Sequence, residues 1–126
     1  MNIYAFNSKY TDKLELIRKV LTLNTMVKYV NGGDDKFRPM LINVMSFYCI
    51  YGYNDETKDL VIDSLNINRK NLNQINSQLT KAGYLVKDTR NYKRKNLSKE
   101  MEAIVDYFVK DDTRKEKLMM IKFDVR

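Results

Sequence analysis

The feature that most constrains this chain is a change of hydrophobic period at Gly83. Before it, Leu72, Ile75, Leu79 and Ala82 recur at helical spacing. After it, Tyr84-Leu85-Val86 reads as a strand, Asp88 to Asn91 as a turn, and Tyr92 to Leu97 as a return strand. Gly83 stands where a helix commonly ends on a left-handed residue. Upstream, the turn Asn66-Ile67-Asn68 makes Asn68 the N-cap of a helix from Arg69 to about Ala82. Asn54 caps a shorter helix from about Asp55 to Leu65, whose apolar set is Leu60, Val61 and Leu65. Downstream, Ser98 caps a further helix carrying Met101, Ile104, Val105 and Phe108. Few topologies accept helix, three-residue turn, helix, hairpin and helix in that order.

The flanking sequence extends this frame. Thr11-Asp12 reads as a helix start, and Leu14, Ile17, Val20, Leu21, Met26, Val27 and Val30 continue a first helix to about residue 30. Asn31-Gly32-Gly33-Asp34-Asp35 forms a loop. Pro39 then suits the first position of a second helix, where its missing N–H costs nothing. Met40, Leu41, Val44, Met45, Phe47, Tyr48, Cys49 and Tyr51 make that helix apolar nearly all round, so it belongs at the centre, with Phe47, Tyr48 and Phe108 in the core and Cys49 as a packed thiol. Residues 2–6 and 118–125 read as strands; paired in one sheet, within the chain or between subunits, they would avoid exposing hydrophobic edges. The expected fold is mainly helical with a small β-hairpin (α+β), with additional short strands at both termini. At 126 residues it forms a single domain: strand and helix over 1–38, core over 39–110, and a strand extension over 111–126.

Composition removes most enzymes. The chain has no histidine, which excludes Ser-His-Asp and Cys-His catalysis and histidine-ligated zinc. Cys49, the single cysteine, can form neither a thiolate metal site nor an intrachain disulfide, and points to a reducing, cytoplasmic setting. Gly32, Gly33, Gly52 and Gly83 lack the spacing of a phosphate-binding loop. The acid pairs Asp34-Asp35, Asp55-Glu56 and Asp111-Asp112 fall in polar turns or at helix starts, where acids favour the helix dipole. No catalytic residue, metal or cofactor is expected. No apolar run approaches the ~20 residues of a membrane span, and Met1 to Phe6 lacks the basic and apolar regions of a signal peptide.

Charge points elsewhere. The formal net charge is +7, and its excess is confined to one stretch. Between Asn66 and Lys99 lie nine basic residues and one acid, Asp88, whereas the remainder holds 14 basic and 15 acidic residues. A one-signed segment on an otherwise neutral chain suits a polyanion, nucleic acid first. The plainer readings are a basic surface kept for solubility or for an acidic protein.

Residues 55–97 resemble the DNA-binding core of MarR-type winged helix-turn-helix proteins. The resemblance rests on Leu65-Asn66-Ile67-Asn68-Arg69 at the turn, on Leu72, Ile75 and Leu79, and on Ala82-Gly83-Tyr84-Leu85-Val86 entering the hairpin. It implies that the second helix of the pair enters the major groove and that the hairpin, or wing, touches the backbone or minor groove. It also implies dimerisation through the terminal helices; no residue here marks a sensor site for a small ligand.

The helix face itself can be tested on a helical wheel, at about 100° per residue. Leu72, Leu79, Ile75 and Ala82 follow one another around the wheel as a compact apolar stripe, whose middle falls between Leu79 and Ile75. The opposite side holds Asn73, Ser77, Lys70 and Lys81, with Gln74 and Thr80 on its borders and Arg69 further round. Asn and Gln can bond adenine edges, and Lys or Arg can contact guanine or phosphate. A low-GC codon bias also enriches Asn and Lys, but does not explain why this face carries no acid. Asn71 and Gln78 fall beside the stripe, where packing is their expected role. In the wing, Arg90, Lys93, Arg94 and Lys95 place four cations around Tyr92 at the hairpin tip.

The expected function is therefore a non-enzymatic, double-stranded DNA-binding protein, most simply a small transcriptional regulator that assembles as a homo-oligomer through its terminal segments. The alternative is a phage virion or assembly protein that uses a winged-helix fold for protein–protein contacts in the particle.

Overall fold

Local signals set the helix boundaries. A computed structural model describes residues 13–30, 38–90 and 94–110. Helix α1 spans Lys13–Val30, α2 Pro39–Tyr51, α3 Asp55–Leu65 and α4 Arg69–Lys81; strands β1 (Leu85–Lys87) and β2 (Lys95–Leu97) form the hairpin; and α5 (Lys99–Ile104) continues as a π-helical segment, Val105–Lys110. Pro39 opens α2 as expected. Asn54 Oδ1 accepts the Thr57 N–H at 2.8 Å, Asn68 Oδ1 the Asn71 N–H at 2.7 Å, and Ser98 Oγ the Met101 N–H at 3.3 Å. Each cap satisfies a helix N–H that has no partner within its own helix, at about 1 kcal/mol.

The turn between α3 and α4 requires Asn66 to adopt φ 52°, a left-handed conformation that asparagine tolerates better than most residues. Gly83, at φ 85°, ends α4: its N–H bonds Thr80 O at 3.1 Å and the Tyr84 N–H bonds Leu79 O at 3.0 Å. Those two bonds, with buried Tyr84 and Leu79 at their ends, reverse the chain from helix into hairpin.

Helix α2 is central, packing against α1, α3, α4 and the π-helical segment. It buries Leu41, Ile42, Val44, Met45, Phe47, Tyr48 and Cys49, and Ile17, Val20, Leu21, Val61, Leu72, Leu79, Leu85, Met101, Val105 and Phe108 surround them. Burial pushes the Cys49 thiol up to about 12, so it packs as a neutral hydrophobe. The observed architecture is thus mainly helical with one antiparallel two-stranded sheet, in a winged helix-turn-helix layout.

Some expectations need correction. Met26 is 50% exposed, and its neighbour Thr25 is buried instead, sharing a 3.3 Å hydrogen bond with the Tyr84 hydroxyl. Leu60 is 38% exposed because α3 turns Val61 and Thr57 inward. The first strand begins at Leu85, not Tyr84, and β2 is confined to Lys95–Leu97. The proposed terminal strands, the 31–35 loop and the tip residues Asn91, Tyr92 and Lys93 lie outside the described residues. Among the described residues no helix is long and apolar enough to cross a membrane.

Candidate nucleic-acid interface

Helix α4 is positioned by a polar bond as much as by its apolar stripe. Its buried residues are Leu72, Leu79 and Asn76. The Tyr48 hydroxyl donates to Asn76 Oδ1 at 2.7 Å, fixing α4 on the central helix. Desolvation, then the nearby Tyr53, raises the Tyr48 pKa. A buried tyrosine that stays protonated is a reliable donor.

This bond rotates the helix away from its wheel prediction. On the wheel Leu72 lies between Leu79 and Asn76, and these three form the buried arc. Ile75 and Ala82, at the other side of the apolar stripe, are only partly buried. The buried arc therefore centres on Leu72 rather than between Leu79 and Ile75. Asn71 and Gln78, placed by the wheel beside the packed stripe, are both exposed as a result. The outward face holds Lys70, Asn73, Gln74, Ser77, Gln78 and Lys81, all exposed and without an acid among them.

Arg69 departs from the expected arrangement. Its guanidinium donates to Asp59 Oδ1 of α3 at 2.7 Å, with both side chains more than half exposed. The arginine is thereby shared between the turn and the outward face. Beside it, α3 exposes Asp55, Glu56, Asp59 and Asp63.

The wing divides its cations. Arg90 and Arg94 are exposed near the tip, where Asp88 Oδ1 accepts the Arg90 N–H at 2.8 Å and the Asp88 N–H bonds Arg94 O at 3.0 Å. Asp88 shapes the turn. Lys95 does not belong to the tip: it lies in β2, opposite Lys87, on the same side of the hairpin as the Leu85–Leu97 pair. Partial burial and the nearby Lys87 and Lys58 lower its pKa. Lys58, in the first turn of α3, holds its ammonium 4.6 Å from the centre of the Tyr53 ring and 3.6 Å from Asp55 Oδ1. Lys87 and Lys58 are not among the sequence candidates. The period-two alternation of the hairpin places Lys87 on the side of Leu85, but the approach of Lys58 requires the tertiary fold.

The region thus presents an acid-free helix face of hydrogen-bonding side chains flanked by a cationic hairpin. Among the described residues no group of three or more His, Cys, Asp or Glu side chains could hold a metal ion. Comparison with family models, curated proteins and solved structures gives no match for this chain.

Proposed function

We propose that the protein binds double-stranded DNA as a small, non-enzymatic, MarR-like transcriptional regulator in the cytoplasm, with α4 in the major groove and the wing against the phosphate backbone. The observation that carries this reading is the outward face of α4. Six exposed residues able to contact bases or phosphates stand there with no carboxylate among them. Lys70, Gln74, Ser77 and Lys81 form its centre, with Asn73 and Gln78 at its edges. Arg90 and Arg94, exposed on the wing, add two further cations. Lys and Arg supply sequence-independent attraction, while Asn and Gln supply base discrimination.

The test is a titration of matched and random duplexes at several salt concentrations. Neutralising about six phosphates gives a log–log salt slope of roughly −5. No binding at low salt, or affinity indifferent to salt, overturns the reading.

One observation favours the second reading, a phage particle protein using this fold for protein contacts. The first helix of a helix-turn-helix pair crosses the DNA backbone, and here that helix exposes four carboxylates. An acidic helix beside a basic one suits association with another two-signed protein surface. Duplex-independent assembly at low salt, dispersed by raising salt, would support it.

A further inference from the structure

The last strand pair before the tip turn of the wing joins two lysines, and the charge of a third, in α3, bears on them. Lys87 and Lys95 are direct cross-strand partners, an arrangement of like charges that destabilises a hairpin. Lys58 of α3, whose ammonium stands 4.6 Å from the centre of the Tyr53 ring, adds its charge to that of Lys87 at Lys95. Among the described residues no carboxylate lies within ion-pair distance of Lys87 or Lys95. The neighbouring Asp88 gives a carboxylate oxygen to the Arg90 N–H, and Asp55 faces Lys58 from a side chain 96% exposed. Solubility does not account for this grouping, since the partly buried Lys95 loses hydration and meets repulsion from both neighbours. An oxyanion between the three ammonium groups would remove both penalties.

We propose that Lys87 and Lys95, with Lys58 beside them, form a clasp for one phosphate group at the end of the strand ladder below the wing tip. The site is separate from the tip cations and from the base-contacting face of α4. It rests on the DNA reading for the source of its ligand: the phosphate is then a diester of the bound duplex, contacted by α3 and both wing strands together. Without DNA, the same chemistry would take inorganic phosphate.

The experiment uses the full chain, with Lys87→Gln and Lys95→Gln, which remove the charge while retaining a long polar side chain. Thermal unfolding is followed in inorganic phosphate and in chloride at equal ionic strength and pH, and each protein is then titrated with duplex over a range of salt. In chloride the variants should melt above the wild type, because the repulsion is relieved. Phosphate should raise the wild-type midpoint and leave theirs nearly unchanged. Each substitution should also reduce the duplex salt slope by about one unit. An equal phosphate response in all three proteins marks a general excluded-ion effect and overturns the clasp. Duplex binding with unaltered slopes overturns it while leaving the DNA reading intact. A wild-type-only phosphate response without duplex binding upholds the clasp for free phosphate and overturns the DNA reading.

Discussion

Helices α3 and α4 both start on an asparagine whose side chain accepts a backbone N–H three residues on, yet their first turns carry opposite charge. Asp55 and Glu56 open α3, where the positive end of the helix dipole favours acids. Arg69 and Lys70 open α4 at the same place, where that dipole opposes them. Local stability therefore explains the charges of α3 and leaves those of α4 unexplained. Arg69 recovers part of the cost through Asp59, but Lys70 has no such partner among the described residues. A cation placed against its own helix dipole and kept in water is better accounted for by something it binds.

The largest expected contrast between the two helices is in stability. Leu72→Ala, in a fully buried site of α4, should cost about 2–5 kcal/mol in urea unfolding. Leu60→Ala, on the outer side of α3, should stay within about 0.5 kcal/mol. Equal losses would mean that the two helices share the core alike.

Next comes DNA discrimination. Gln74→Ala should relax sequence preference by about 1–3 kcal/mol if this side chain makes a two-point base contact. Arg94→Ala should weaken matched and scrambled duplexes equally and lower the salt slope by about one unit. Identical losses on both duplexes from both variants would make the protein a non-specific binder.

The two caps come third. Asn54→Ala and Asn68→Ala should each cost about 1 kcal/mol in unfolding free energy. On the DNA reading Asn68→Ala should also weaken duplex binding, and more than Asn54→Ala, because α4 would enter the groove whereas α3 would offer the duplex only Lys58. Equal losses of binding from both would give α3 as large a share of the interface as α4.

The smallest effect tests the bridge between the helices. Asp59→Asn breaks an exposed ion pair, so unfolding should change by less than about 1 kcal/mol. It also releases Arg69 and removes one acid beside the basic face, so duplex affinity at low salt should rise. A fall in affinity would show that Asp59 orients Arg69 toward its ligand.

How far these features can be read from sequence depends on the range of the interaction that creates them. Asn54, Asn68, Ser98, Pro39 and Gly83 act within a turn of their own positions, and the elements begin or end where those residues indicate. The orientation of α4 is less legible. Its decisive contact joins Asn76 to a tyrosine 28 residues away, and a polar residue on a helical wheel gives no sign of a buried partner. Met26 and Leu60 are exposed for the same reason: periodicity defines a stripe, but packing decides which side of the stripe is covered. The wing cations are legible as charge, whereas the division between Arg90 and Arg94 near the tip and Lys95 in the strand ladder follows from the strand register.

The bond between Tyr48 and Asn76 also equips the molecule with an internal gauge. A hydroxyl proton held against an amide oxygen within the core is shielded from exchange with solvent, so in a proton NMR spectrum it should give a resonance that the exposed Tyr51 does not. Because burial raises its pKa, that signal should persist through mildly alkaline solutions. Asn76 is carried on the inner side of the helix whose outer side bears Gln74 and Ser77. A ligand that tilts or slides α4 must therefore alter the chemical shift of this proton, even if no atom of the ligand comes near it.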